Sequence, residues 1–512
     1  MPKFGFTPYR DLVRGGAPTE DDSSAAARVR TLRGGSPNPR GSYVLYWMQM
    51  FLRGAENAAL DEAVRRANEL GLPLVVYQGL NPNYPEANDR THTFILECAR
   101  DVSRDLAARG ITYRFHLRRS RSESAQSIVS ELARAAASVV VDDFPAFILP
   151  RMTQSLVRRT EESGVPIHAV DANGLVPLAD IPDRQYAAYT IRPRLHARIP
   201  EYLLPLPSPE PANRTPAVLP IPENRFENLV AREDSDLATL VAECDIDHSV
   251  LPSLLCQGGR REGRTRLESF IDASLPAYAK YGNDPGRAVT SGLSAYLHFG
   301  CLSTGEIVRD VLRSSADDEA SDAFLEQVVI RRELAFNFCR YTPVSRHANL
   351  EALPDWARKT LSEHASDERS PRYSLEQLEA ARTHDEIWNA AQRELVATGT
   401  FHGYLRMLWG KNVIRWTETY EEAQSFMVRM HHRYALDGRS PNTYASILWC
   451  FGLHDRAFRE MPVLGKLRPL NSSSTRRKFN LDPYFRRVAA AAGARNMPVL
   501  AAENLPGNRR AT

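Results

Sequence analysis

At 512 residues the chain is long enough for more than one domain, and its 43% apolar and 25% charged residues are those of an ordinary globular protein. A net charge of +3 is too small to argue for a polyanionic partner from the whole chain, so only the local placement of charge is informative. The sequence has no apolar run of 18 residues, no secretory h-region and no C-x-x-C pair among its six scattered cysteines. These features argue against a membrane span, export, a zinc knuckle and an iron–sulfur cluster. The expectation is a cytoplasmic protein with reduced core thiols, no metal and no membrane contact.

In chain order, residues 1–41 are rich in Gly, Pro, Ser and Arg and predict a disordered N-terminal tail; Glu20, Asp21 and Asp22 are too acidic for a transit peptide. From Ser42 the pattern becomes regular. Apolar runs at 42–48, 72–80, 111–117, 138–144 and 165–172 predict buried strands. Amphipathic stretches between them predict helices, among them Thr91–Arg109, Glu123–Ala136 and Arg151–Glu162. Strand–helix alternation implies right-handed crossovers, hence an α/β domain over 42–170 with a Rossmann-like, doubly wound parallel sheet. It carries no G-x-G-x-x-G, so no dinucleotide is expected on it. Residues 171–265 read as an interdomain connector in which Pro193–Pro222 disfavours continuous helix or sheet. Over 266–488 the strand signal fades and helices dominate, so the fold class is α/β followed by all-α; 489–512 reads as a flexible tail.

Four stretches of the second domain carry chemistry. Tyr281 and the hydroxyl-rich turn Thr290-Ser291-Gly292-Leu293-Ser294 precede a predicted helix, where free N–H groups suit a phosphate, although plain capping uses the same residues. The stretch Phe324–Tyr341 places Gln327 and Arg331 four apart on one helix face, which also fits a solvated charged stripe. Between Gly399 and Trp449 lie three of the six tryptophans; Trp388 sits on the preceding helix, Trp409 and Trp416 fall two turns apart on one side of a helix, and Arg406 and Asp437 could pair. An aromatic stripe of this kind is most often core. From Arg439 to Arg487 ten Lys or Arg face three acids, a local excess of seven, interleaved with Trp449, Phe451 and Tyr484. A basic face with stacking groups fits nucleic acid, and a solvated surface run fits equally.

Taken together and in order, YVLYWMQ, YLHFG, RRELAFNF, THDEIWNAAQRELVATG, HGYLRMLWGK, RYALDGRSPN, HDRAF, GKLR and RRKF resemble the class II cyclobutane pyrimidine dimer photolyases, over about residues 28–488. The resemblance implies an α/β antenna domain and a helical FAD-binding domain. It implies flavin contacts from Tyr281, Thr290, Ser291, Gly292, Leu293, Ser294, Asn337, Arg406, His431, Asp437 and Gly438. It implies an electron-transfer chain Trp416–Trp388–Trp409, in that order from flavin to surface. Lesion or DNA contacts fall on Gln327, Arg331, Met407, Trp449, Arg456 and Arg468. The implied activity is light-driven repair by electron transfer from photoexcited FADH⁻ to a dimer flipped out of double-stranded DNA, in a monomer that is nucleoid-associated if prokaryotic, with a deazaflavin-type antenna as an optional second chromophore. A cryptochrome-like photoreceptor on the same fold is the alternative; a helical DNA-binding protein without cofactor is a third reading.

The sequence departs from the family pattern at five places, two of them a Gly-Gly before the HDR motif that is reduced to Gly452 and a usual Pro that is Ala295. His431 stands where Asn is usual beside flavin N5, followed by His432 where Asp is usual, and a histidine is expected to titrate near neutrality. Gln327 stands where Glu is common, with Glu326 beside it; an amide hydrogen-bonds bases but supplies neither charge nor proton.

Overall fold

The computed structural model describes residues 7–14, 23–122 and 127–497. Six strands form one sheet: β1 (Val29–Arg33), β2 (Val44–Trp47), β3 (Leu74–Leu80), β4 (Thr112–Leu117), β5 (Ser138–Asp142) and β6 (Ile167–Val170). Their spatial order is β1-β6-β5-β2-β3-β4, with β2 to β6 parallel. The chain goes from β2 outward to β4, then crosses to the other side of β2 for β5 and β6, the doubly wound arrangement. Every residue of β2, β5 and β6 is buried, because helices cover both faces; this is why these strands read as unbroken apolar runs. The helix Ala58–Leu70 shows how sharply local signals set the boundaries. The Asn57 side chain accepts from the N–H groups of Ala59 and Leu60, and Gly71 closes the helix in the left-handed conformation at φ 65°.

The N-terminal tail differs from expectation. Val29–Arg33 pairs antiparallel with β6 as the edge strand, and the helix Tyr9–Arg14 packs onto the helical region, with Tyr9 buried and its N–H donating to Asp322 at 3.0 Å. A five-residue, arginine-rich strand has no local signature. Its arginines are satisfied only by distant partners: Arg30 donates to the Asp143 carboxylate, and Arg33 to the Val165 carbonyl and the Thr160 hydroxyl. Residues 1–6, 15–22 and 498–512 of the two predicted tails lie outside the described residues, as do 123–126 of a predicted helix. The helix Asp482–Gly493 runs past the expected start of the C-terminal tail, and Ala492 is buried. The connector also contains more helix than proline allowed for: Ala188–Arg198 continues through Pro193, and Asp234–Ala242 follows later.

From Arg260 on, all regular elements among the described residues are helical. The predicted helix Ala323–Arg340 is interrupted: Glu326–Arg331 is wound as a π-helix between α-helical turns Asp318–Leu325 and Arg332–Arg340. Such bulges recur at functional sites, since they re-aim side chains without ending the helix. All six cysteines are buried and free. Among the described residues no helix is long and apolar enough to cross a membrane, and no group of three His, Cys, Asp or Glu could hold a metal.

Candidate functional site

The site is built on three helices: Glu386–Thr398, Gly403–Trp416 and Tyr420–Tyr434. Asp385 caps the first by accepting from the Trp388 N–H at 3.0 Å, which fixes where Trp388 starts its turn. Trp388 lies between the other two tryptophans. Its ring stacks on Trp409 at 5.8 Å and 6°, and meets Trp416 edge-on at 5.7 Å and 66°. The Trp388 indole N–H donates to the Trp409 carbonyl at 3.0 Å, and that of Trp409 to Gln392 Oε1 at 2.9 Å, so both buried donors are satisfied.

The direction of this run is the reverse of the expected one. Trp409 packs against His431 at 5.3 Å, on the side of Arg406 and Asp437, whereas Trp416 packs against the exposed His384 at 5.1 Å and the half-buried Tyr373 at 5.5 Å. From pocket to surface the order is Trp409, Trp388, Trp416. A seven-residue spacing puts two side chains on one side of a helix but does not say which end faces the ligand.

Arg406 and Asp437 form the buried ion pair expected of them, with Nη2 at 3.0 Å from both carboxylate oxygens. Burial alone would raise the Asp437 carboxyl, but the charge and hydrogen bonds of Arg406 win and hold it below its ordinary value. The turn after Asp437 is locally determined. Ser440 caps the helix Pro441–Cys450 by accepting from Thr443 N–H at 3.1 Å, and Pro441 occupies its first turn. Gly438 is required for packing, because a Cβ there would lie 2.0 Å from the His431 carbonyl oxygen. Arg439 points away from the site. It is buried over Tyr84 and Phe147 and donates to the carbonyls of Pro85 and Glu86, so it does not belong to the basic surface counted from sequence.

His431 is buried, and its Nδ1 donates to the Met427 carbonyl at 2.7 Å. Burial, with the nearby Arg406 charge, pushes its pKa down to about 4. The expected titration near neutrality is therefore absent: the ring is neutral, and its tautomer leaves Nε2 as an acceptor. The pH dependence of flavin absorbance and photoreduction between pH 6 and 8 should accordingly be the same in wild type and His431→Asn, although the absolute redox behaviour of the two should differ. A titration present only in the wild type over that window would refute the neutral assignment.

Other parts converge on the same region. His298, on the helix Ser294–His298 that follows the 290–293 turn, feels the Asp437 charge, and His402, at the start of the Arg406 helix, feels Asp284. Gly292 takes φ +65°, which lets the turn fold back; Leu293 is buried while Thr290 and Ser294 are exposed, and Ser291 Oγ accepts from Leu293 N–H at 3.4 Å. No Ser or Thr side chain caps the five-residue helix that follows. Tyr281 sits between Lys280 and Arg287, each 4.9 Å from its ring, a cationic setting fit for a phosphate. Five buried side-chain atoms in this zone have no hydrogen-bond partner in the protein: Arg266 Nε, His298 Nδ1, His402 Nε2, Arg406 Nε and His431 Nε2. Buried polar atoms are rarely left so, and a cluster of them fits a large polar cofactor such as FAD. Asn337 does not join the set. Its amide is spent on the connector, accepting from Gln185 N–H at 2.7 Å and donating to the carbonyls of Asp183 and Ile181 at 3.0 and 3.4 Å.

The residues expected to face a lesion or DNA divide between two ledges. On the π turn, Gln327 and Arg331 are exposed, while Glu326 is buried and accepts from Arg192 at 2.8 Å and pairs with Arg331 at 3.3 Å. Glu326 thus cannot stand in for a carboxylate at 327. Arg192, from the connector, escaped the sequence reading because nothing local ties a connector arginine to a helix 134 residues away. On the second ledge, Trp449 and Met407 are half-buried, and Arg468 holds Asp455 through two bonds of 2.8 Å while lying 4.4 Å over Phe458 and 5.6 Å over Trp449. Arg456 is exposed, 5.3 Å over Phe458. Beneath Trp449 is a residue the motifs did not single out: Lys411, whose Nζ is 5.5 Å from that ring and donates to the Cys450 carbonyl, with burial pushing its pKa down to about 8.

Comparison with known proteins gives a consistent result. Residues 44–212 match the family model for DNA photolyase. The chain is 36% identical to the deoxyribodipyrimidine photo-lyase of Methanothermobacter thermautotrophicus over 464 residues, 90% of this chain and 98% of that one. It is 34% identical to the protein of the same name from Arabidopsis thaliana, over 90% of this chain and 92% of the relative. Among solved structures, a bacterial class III photolyase from Agrobacterium tumefaciens superposes with a TM-score of 0.65 at 18% identity, covering 91% of this chain and 94% of that one.

Proposed function

We propose that this chain, which belongs to the DNA photolyase family, uses light to repair cyclobutane pyrimidine dimers in DNA, acting as a deoxyribodipyrimidine photo-lyase. The observation that carries this reading onto its own residues is the run Trp416–Trp388–Trp409, which leads from the surface to the buried Arg406–Asp437 pair and the orphaned polar atoms around it. FAD, bound there in its reduced state, supplies the light-absorbing electron donor for splitting the cyclobutane ring. The residues do the rest. Arg406, His402 and His431 offer the polar atoms that orient the cofactor, and Tyr281 with Lys280 and Arg287 supplies positive potential for its phosphates. Trp449 and Met407 provide apolar surface for the extruded pyrimidines, and Arg331, Arg456 and Arg468 hold the backbone of the duplex, so binding should weaken with salt. We extend the reading to a monomer in the cytoplasm, associated with the nucleoid if prokaryotic, and to a deazaflavin-type antenna in the α/β domain; the absorption spectrum of the purified protein tests the antenna.

The test of the activity is to illuminate the reduced, FAD-bound protein with blue light in the presence of dimer-containing DNA and count dimers. Unchanged dimers sink the reading; flavin photoreduction without repair would place the chain with cryptochrome-like photoreceptors. The same assay probes Gln327. Because Glu326 is turned inward, Gln327→Glu restores the only carboxylate this turn could present to a base, and repair yield should rise, by up to about tenfold or 1.4 kcal/mol. An unchanged or lower yield would remove residue 327 from the chemistry.

A further inference from the structure

Two tyrosines of the connector are conspicuously open to water: Tyr186 is 45% and Tyr189 66% exposed, with ring centroids 6.5 Å apart. Tyr186 is firmly held, and Tyr189 meets it edge-on at 61°. The Tyr186 hydroxyl accepts from the Trp356 indole N–H at 3.1 Å and donates to the Asp455 carbonyl at 3.3 Å, and its own carbonyl accepts from His454 Nδ1 at 2.7 Å. The strap leading to them is pinned by Asn337 on Gln185 and by Arg184, which donates to the Ala352 carbonyl at 2.9 Å and lies 5.0 Å over Phe338. Tyr189 begins the helix Ala188–Arg198, which Arg192 ties to Glu326 of the π turn. On one side of the pair is therefore the turn that exposes Gln327 and Arg331. On the other is Asp455, which holds Arg468 over Trp449.

Two exposed aromatic rings between two cationic ledges, one of them anchored through its hydroxyl, have the form of a stacking platform for unpaired bases. Taking a dimer out of the duplex leaves such bases behind, since its partners on the opposite strand lose both pairing and stacking. We propose that Tyr186 and Tyr189 form a second base-binding ledge that stacks the unpaired bases left opposite the extruded dimer. This rests on the DNA-repair reading above and adds a contact with the undamaged strand that none of the sequence motifs indicates.

The experiment compares wild type, Tyr189→Ala and Tyr189→Phe as FAD-bound full chains at fixed salt. Affinity is measured for a dimer-containing duplex and its undamaged counterpart, with 2-aminopurine placed opposite the dimer. Stacking predicts that Tyr189→Ala binds the damaged duplex about tenfold more weakly, that Tyr189→Phe binds as wild type, and that affinity for undamaged DNA is unchanged. The 2-aminopurine should be quenched in the wild-type and Phe complexes and bright in the Ala complex. Equal affinity of Tyr189→Ala and wild type for damaged DNA, or equal losses on damaged and undamaged DNA, would overturn the proposal. If wild type itself shows no preference for the damaged duplex, the repair reading falls, and this proposal with it.

Discussion

Replacing Trp388 by Phe should leave FAD bound and abolish most of its photoreduction, because among the described residues Trp388 is the aromatic ring that joins the pocket-side Trp409 to the surface-side Trp416. Its rings lie 5.8 Å from Trp409 and 5.7 Å from Trp416, and both neighbours depend on it. Phe keeps much of the buried volume of a fully enclosed side chain and gives up one hydrogen bond, to the Trp409 carbonyl, at about 1 kcal/mol. Ala would instead empty a site worth roughly 3–5 kcal/mol and confuse loss of electron transfer with loss of fold. The matching control is Trp416→Phe, which should slow photoreduction less, since Tyr373 and His384 still border its position. Protein reduced chemically beforehand should repair dimers normally in both variants, because on the proposed reading these three tryptophans refill the cofactor and do not touch the lesion. A Trp388→Phe protein that photoreduces at the wild-type rate would end the assignment of this run as the conducting path.

That experiment also marks where sequence and structure part company. The α/β-then-helical architecture is legible because buried parallel strands are continuous apolar runs and helix caps such as Asn57 and Asp385 are local. The ion pair of Arg406 and Asp437 is legible because an Asp before Gly-Arg-Ser-Pro is a turn with an unsatisfied charge, and a buried charge needs a partner. What is not legible depends on packing between distant segments. Strand β1 exists only by pairing with β6, the direction of the tryptophan run depends on which end of a helix meets the pocket, and Asn337 is claimed by a strap 152 residues away. His431 makes the same point chemically: the residue type suggests a switch near neutrality, and burial beside a guanidinium removes it. Composition misleads in one place, where Arg439 adds to a basic count that the surface does not carry.

Asp437→Asn should be the most damaging single change to stability in the helical domain. It leaves the largely buried Arg406 guanidinium opposite an amide that cannot balance its charge, with Nε already lacking a partner. Breaking a buried pair from one side costs about 3–5 kcal/mol, which for a unit of this size is about 6–20 °C in Tm. The double variant Arg406→Met with Asp437→Leu should lose less than Asp437→Asn alone, since no charge is then stranded, although both should lose bound flavin. The pH dependence follows from the depressed carboxyl. In the unfolded chain Asp437 returns to its ordinary value of 3.8, whereas in the folded protein it stays ionised to lower pH. The pair therefore adds stability that is fully present above that value and disappears as pH falls through the lower, folded-state value. The gap in Tm between wild type and Asp437→Asn should be constant from neutral pH down to about pH 4 and should close below it. A gap that shrinks already between pH 7 and 5 would mean that a different group carries the coupling. No gap at pH 7 would mean that the buried guanidinium has found another acceptor, and the pocket would have to be redrawn around it.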